Sequence, residues 1–463
     1  MKQLWIPPFH DIASGEAFMG AWMYYNDEQA LLLNSYGKIL LCEYEIANHL
    51  AKQKIAPILL PILRSRQFLE SVEMSDSLDN SAVEYFMVDM TKKCNMRCIY
   101  CLRNIENETK SISYDVLSRI GAVITEYCDT HNLSDVSIQP WGGEPLLELE
   151  KIIFLKNHIM PKETSVHFSI ETNGTLLSEN VIQTLKNEKI DIGISIDGNQ
   201  HTHDNQRISA SFSPTYGVVS SNLKKLVREY SYQPGSITTI TKYNAPYISD
   251  IVEHFAKDLG LTHIKCNFVH PSSFSESTDC CLTSDEIKRA ECELFHTLLC
   301  LSDEGYHIVE ENIFNKINNV LFCKFSDICI SRGCNGGKKM VVFGENGDIY
   351  PCELTDYPEM SVGNVFMKDF NLDRQIGEAQ TCNPFFREKI NPKCIDCPFS
   401  YYCKGGCTVR SITTGAFPDV DPIECACNLA IYPEIICTIL NNPERINKLL
   451  GYQAIVEIGG GVQ

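Results

Sequence analysis

Cys94-Asn95-Met96-Arg97-Cys98-Ile99-Tyr100-Cys101 decides how the chain is read, because its C-x3-C-x2-C spacing brings three thiols onto one short loop. An apolar, β-branched run at 83–90 precedes it, so the loop leaves the end of an expected strand. Structural zinc closes on four ligands, and a [4Fe–4S] cluster also takes four. Three cysteines would leave one iron open to the amine and carboxylate of a small ligand. The competing reading of this spacing alone is a zinc knuckle short of one ligand.

Beyond the loop the strand pattern repeats. Apolar runs recur at 136–141, 166–171, 190–196, 237–241 and 263–269, with helical periodicity at 114–127, 181–187, 218–230 and 248–259. Alternating strands and helices imply a parallel sheet covered by helices. Six such units predict an α/β fold, a partial (β/α)6 TIM-like barrel over 83–304, with its active site at the strands' C-terminal ends. Residues 305–328 read as a connector.

Residues 1–80 read as a separate small α+β domain. Apolar stretches at 18–25 and 29–33 precede the turn signal Asn34-Ser35-Tyr36-Gly37, and a further run at 38–42 leads to helices at 43–53 and 58–70. The polar stretch 74–81 reads as a linker. At the other end, 329–428 is dense in cysteine, glycine and proline, and such a region needs metal or disulfide staples. Residues 429–463 carry a helix and end in a Gly459-Gly460-Gly461 tail.

With 463 residues the chain exceeds one ordinary core, and 44% apolar against 21% charged residues excludes a disordered chain. The net charge of −19 opposes the phosphate-neutralising surface of a nucleic-acid binder. The longest apolar candidate, 55–63, is short and broken by Pro57 and Pro61, so no membrane span is expected. The N-terminus lacks a signal-peptide core, and the expected location is cytoplasmic. In that compartment 22 cysteines point to metal ligation or redox chemistry rather than disulfides. The adjacent Cys280 and Cys281 read as structural thiols.

The cysteine loop resembles that of the radical S-adenosylmethionine (SAM) superfamily, whose pattern also favours an aromatic residue at Tyr100, near the adenine. Three later stretches extend the resemblance at strand ends: Gly142-Gly143-Glu144-Pro145, then Glu171-Thr172-Asn173-Gly174-Thr175-Leu176, then Ser195-Ile196-Asp197-Gly198 with Arg207 following. The resemblance implies that Gly142, Gly143, Glu144 and Pro145 meet the SAM ammonium. It implies that Thr172 and Asn173 meet SAM or substrate, and that Ser195 and Asp197 approach the ribose. Arg207 would offer paired donors to the methionyl carboxylate. Asn173 or Thr175 can equally cap the next helix. His201 and His203 read as loop residues.

Cys394-x2-Cys397-x5-Cys403-x3-Cys407, with Cys334-x12-Gly347-x4-Cys352 before it and Cys425 after it, resembles the SPASM extension of radical SAM enzymes. That resemblance implies two auxiliary clusters, one on Cys329, Cys334, Cys352 and Cys407, the other on Cys394, Cys397, Cys403 and Cys425. Cys427 can replace Cys425, and without Cys329 the first auxiliary cluster keeps an open iron. A zinc ribbon has the thiol count but does not explain the interleaved order. The implied cofactors are three [4Fe–4S] clusters and SAM.

In this family one electron cleaves SAM, and the resulting 5′-deoxyadenosyl radical abstracts hydrogen from an unactivated carbon. The usual SPASM targets are peptides or proteins. Residues 1–80 are similar to a winged-helix element that binds leader peptides and can take a peptide as an added strand. The expected function is maturation of a ribosomally made precursor peptide by an intramolecular cross-link, thioether first and carbon–carbon second. An electron donor such as flavodoxin or ferredoxin would serve it. The alternative is an anaerobic sulfatase maturase forming formylglycine. Those enzymes place a catalytic aspartate directly after an auxiliary cysteine, where Glu353 follows Cys352; Asp204 and Tyr100 are further base candidates by position. A noncatalytic cluster- or peptide-binding protein is the third reading, opposed by the intact motifs.

Overall fold

The computed structural model describes residues 1–70, 82–101, 110–271, 279–330, 332–355, 360–382 and 391–455. The expected linker at 74–81 and the glycine tail lie outside them. Hairpins organise the first seventy residues. Strands β1 (Lys2–Ile6), β4 (Ala21–Tyr25), β5 (Gln29–Asn34) and β6 (Ile39–Glu43) form an antiparallel sheet in that spatial order, while β2 (Phe9–Asp11) pairs with β3 (Glu16–Phe18). The β5–β6 turn follows from Asn34, whose side chain accepts from the Tyr36 and Lys38 amides at 3.0 and 2.9 Å. β5 is apolar from Ala30 to Leu33 because both its faces are covered. Ala30 and Leu32 join a local core with Leu63 and Phe68, whereas Leu31 and Leu33 join the main core.

Six parallel strands then follow in chain order: β7 (Tyr85–Thr91), β8 (Asp135–Gly142), β9 (Ser165–Thr172), β10 (Ile190–Ser195), β11 (Gly235–Ile240) and β12 (His263–Phe268). Each matches an apolar run to within about two residues. The sheet extends further at both ends. β13 (Val309–Glu310) pairs parallel with β12, and β14 (Met340–Phe343) pairs parallel with β7. β15 (Asp348–Tyr350) and β16 (Gly363–Asn364) continue it antiparallel. Residues 305–328 are therefore more than a connector, holding β13 and the helix Glu311–Phe322. The cysteine-rich segment likewise enters the barrel sheet through β14.

The helix Pro422–Asn441 crosses the expected boundary at 428. Among the described residues it is the helix long and apolar enough to span a bilayer, a length hidden in the sequence because Glu424, Asn428, Pro433 and Glu434 interrupt the run. Its Ile431, Tyr432, Ile435 and Ile439 are buried in the main core. It packs on the helix Ser284–Asp303 and on β4 and β5. The N-terminal sheet thus rests on the cysteine-rich segment instead of standing apart. Tyr402 donates its hydroxyl to the Gly37 carbonyl at 2.8 Å, and Tyr24 stacks on Phe399. Gly37 has φ +67°, and a Cβ there would lie 2.5 Å from the Tyr401 ring, so no larger residue fits.

Candidate active site

The strand ends hold the cysteine loop by backbone contacts. The β7–β8 register shifts between Asp89 and Thr91, turning the chain across the barrel mouth. The Gly143 amide donates to the Thr91 carbonyl at 2.7 Å and the Glu144 amide to Lys93 at 2.8 Å. A Cβ on Gly142 would sit 2.3 Å from the Thr91 oxygen, and one on Gly143 2.1 Å from that of Lys93. The two glycines are therefore the seat of the loop. The Glu144 carboxylate accepts from the Thr172 hydroxyl at 2.7 Å and from the Asn173 and Leu146 amides at 2.8 and 3.1 Å, tying β8 to β9. Burial raises the Glu144 pKa while these donors oppose it. Pro145 opens the short turn Pro145–Glu148.

Asn173 reaches back to the loop, its amide donating to Asn95 at 2.8 Å and to the Cys94 sulfur at 3.9 Å. The helix Glu179–Asn187 is capped by Ser178 instead of Asn173 or Thr175. Across the mouth, the Tyr100 hydroxyl donates to Asp197 at 2.6 Å, and Arg207 donates to the Tyr100 oxygen. The other Asp197 oxygen accepts from the Thr239 amide at 3.0 Å. Asp197 is fully buried and lies behind Tyr100, whereas Ser195, Tyr100 and Arg207 line the central cavity. Burial opposes the Arg207 charge, but Cys98, Tyr100 and Asp197 raise its pKa well above the usual value. Among the described residues its Nε has no hydrogen-bond partner.

His203 turns away, Nδ1 accepting from the Asp197 amide and Nε2 meeting Thr215; burial pushes its pKa down to about 3, leaving the ring neutral. His201 is exposed. Asp204 accepts from the Thr215 and Tyr216 amides at 2.9 and 2.8 Å, which makes it a turn-former.

Eight further cysteines fall into two sets by their mutual electrostatic influence. Burial raises the Cys352 pKa, and Glu353, Cys334, Cys407 and Cys329 raise it further. Cys394 is raised by burial, then by Cys397 and Cys425; Cys403 is raised by burial, by Glu424 and by Cys394. Cys427 belongs to neither set, lying instead among Glu291, Lys316, Glu424 and Arg410. Among the described residues no three His, Cys, Asp or Glu side chains stand at the spacing of a single metal ion. Thiolates of a [4Fe–4S] cube bind different irons and stand wider apart than those of a zinc site.

One cavity of about 530 Å³ joins these parts. Cys94, Cys98 and Cys101 line it, as do Cys329, Cys403, Cys407 and Glu353. Thiols on the wall, glycines admitting only backbone, and a buried guanidinium with an unfilled donor fit a cluster that carries an amino-acid ligand. Residues 88–251 match the Radical SAM superfamily. The chain carries a radical SAM domain.

Over 331 residues the chain is 25% identical to the cysteine-type anaerobic sulfatase-maturating enzyme of Clostridium novyi (strain NT), covering 68% of this chain and 85% of that one. The solved structure of native anSMEcpe with bound AdoMet and Cp18Cys peptide is similar with TM-score 0.65 at 20% identity, over 78% of this chain and 100% of that one. Streptococcus suis SuiB bound to precursor peptide SuiA gives TM-score 0.51 at 15% identity, over 84% and 96% of the two chains. Both structural likenesses are likenesses of fold.

The cavity also holds charged groups that no motif announced. Lys316 pairs with Glu291 at 3.2 Å and Glu424 at 3.6 Å, and Arg410 pairs with Asp421 at 2.7 Å and Glu424 at 3.0 Å. These residues come from separate helices, and each alone reads as an ordinary helix-surface charge. Gln139, Glu171 and Lys265 line the barrel lumen. Their sequence signal is the polar phase of strands that alternate polar with apolar residues, as in His263-Ile264-Lys265-Cys266-Asn267-Phe268.

Proposed function

We propose that this radical SAM enzyme matures a ribosomally synthesised precursor peptide by an intramolecular cross-link, a thioether first and a carbon–carbon bond second. The observation that carries the reading is the single cavity bordered by the Cys94–Cys98–Cys101 loop and by Cys329, Cys403 and Cys407. A peptide segment held there lies between a site that would start radical chemistry and sites able to receive a thiolate or an electron. Cys94, Cys98 and Cys101 would hold the first [4Fe–4S] cluster. Gly142 and Gly143 would admit SAM close to backbone, and Arg207 would take its carboxylate. Bound there, cluster and SAM supply one-electron chemistry that draws a hydrogen atom from an unactivated carbon.

Cys329, Cys334, Cys352 and Cys407 would hold one auxiliary cluster, and Cys394, Cys397, Cys403 and Cys425 the other. Cys425 is preferred over Cys427 because it shares its surroundings with Cys397. For the leader segment, β1 is the edge strand of the N-terminal sheet, with Trp5 and Leu4 about two-fifths exposed and Trp5 packed on Trp22 at 5.3 Å. An added peptide strand can pair there. A flavodoxin or ferredoxin in the cytoplasm would deliver the electron.

Sulfatase maturation to formylglycine is the second reading, favoured by the similarity to the sulfatase-maturating enzyme over 85% of that protein's length. Glu353 would then stand as the base after Cys352. Anaerobically reconstituted enzyme with SAM and reductant, offered a peptide from a short reading frame beside its gene and a sulfatase-derived cysteine peptide, separates the two. A product two hydrogens lighter and inert to hydrazide supports the cross-link, and a hydrazide-reactive aldehyde supports formylglycine. Failure to form 5′-deoxyadenosine at full cluster content sinks both and leaves a noncatalytic binding protein.

A further inference from the structure

Glu171 lies on β9, two residues before the Asn173 that touches Cys94. Asn173 follows the strand's last residue, Thr172, and Glu171 sits about 6–7 Å before it along the chain. Both line the cavity. Gly193, its partner in register on β10, leaves room for the side chain: a Cβ there would already be 3.4 Å from Glu171 Cγ.

Two neighbours orient the carboxylate. The Tyr85 hydroxyl donates to the Gln139 side-chain oxygen, which leaves the Gln139 amide N–H2 as a donor that favours the Glu171 carboxylate. Lys265 on β12 faces the same space but is held by Glu311 at 3.0 Å and Asp327 at 3.6 Å. Glu171 therefore sees a cation at longer range, with Tyr85, Glu353 and Glu311 as the other charged or titratable groups facing it. Burial raises its pKa to about 7; Lys265 and Gln139 oppose the rise, while Glu353 and Glu311 add to it.

We infer that Glu171 is the base that takes the proton leaving the peptide as the new bond forms. This rests on the peptide-maturase reading. In thioether formation one C–H and one S–H bond break and one C–S bond forms. The peptide gives a hydrogen atom to the SAM-derived acceptor, an electron to an iron–sulfur cluster, and a proton. The proton goes to a Glu171 oxygen, converting a carboxylate into a neutral acid beside Gln139. The same balance holds when a cysteine C–H and S–H are lost on the way to an aldehyde.

The test uses cluster-loaded enzyme, SAM and the two peptides named above, with wild type, E171Q, E171D and E353Q. In E171Q the ratio of peptide product to 5′-deoxyadenosine should fall about 100-fold or more, the usual contribution of a general base, and E171D should restore part of it. The wild-type rate should fall tenfold per pH unit below about pH 7. That limb should be absent from E171Q and present in E353Q whatever its rate. Isotope-edited infrared titration without SAM should show a carboxyl protonating near pH 7 that E171Q abolishes. Product and acid limb surviving in E171Q, or lost in E353Q alone, overturn the assignment. Wild type that cleaves SAM but alters neither peptide overturns the maturase reading instead.

Discussion

Replacing Gly143 by alanine tests whether the strand-end glycines seat the cysteine loop. The new Cβ would stand 2.1 Å from the Lys93 oxygen and 2.6 Å from its carbonyl carbon, so the loop must retreat by about 1.3 Å to reach ordinary contact distance. That retreat stretches the 2.7 Å bond from the Gly143 amide to Thr91 and the 2.8 Å bond from Glu144 to Lys93. Two backbone hydrogen bonds at about 1 kcal/mol each, with overpacking at about 1–3 kcal/mol, give roughly 3–5 kcal/mol of local cost. The fold should survive, because the loss falls on one loop outside the core. Iron content and 5′-deoxyadenosine formation should drop together, and a 1 Å displacement of reacting groups alone is worth about 100-fold in rate. Gly217→Ala is the control, since its Cβ meets nothing within 4 Å and lies in the helix Tyr216–Arg228. It should leave iron content unchanged and add up to about 1 kcal/mol of stability. A G143A enzyme with full iron content and wild-type SAM cleavage would refute the reasoning.

Three further outcomes are expected. Cys425→Ala should lower the iron content of the reconstituted protein, whereas Cys427→Ala should not; equal losses would reassign the ligand. Lys316→Met strands the buried Glu291 and weakens the support of Glu424, so chemical denaturation should show about 3–5 kcal/mol of lost stability. Glu310 caps the helix Glu311–Phe322, accepting from the Ile313 and Cys266 amides at 2.8 Å each, and burial raises its pKa to about 7. The folded state binds its proton more tightly than the unfolded state, so stability should fall as pH rises from the ordinary carboxylate range to about 7 and then level off. Glu310→Gln should flatten that slope, and an unchanged slope would assign the pH dependence elsewhere.

The six barrel strands were legible because each is a short apolar run bounded by turn residues and separated by amphipathic helices. β13 and β14 were not, being two and four residues long and stabilised by register with β12 and β7, information absent from local pattern. At the site, spacing revealed the thiols because ligands of one centre cluster in sequence. The Tyr100–Asp197 and Tyr100–Arg207 contacts join positions about a hundred residues apart, and only the folded sheet brings them together. Glu144 shows the same limit: its motif marks a place beside the cysteine loop, but its carboxylate is occupied by Thr172 and Asn173. Glu171 opens the Glu171–Leu176 stretch, but its place on the cavity wall follows only from β9 in register with its neighbours.

The pairing of β14 with β7 sets an order of events during synthesis. β7 emerges early and gains β8 on one side soon after, yet its other edge waits for β14, encoded well beyond the last of the six central strands. Until then the barrel's first strand presents unpaired backbone donors and acceptors, the kind of edge that recruits foreign strands. A nascent chain halted before β14 should be sticky and unable to complete its barrel sheet. The cysteine-rich segment therefore acts as a keystone, and cutting it away should cost the barrel its folding competence along with any chemistry the segment's thiols support.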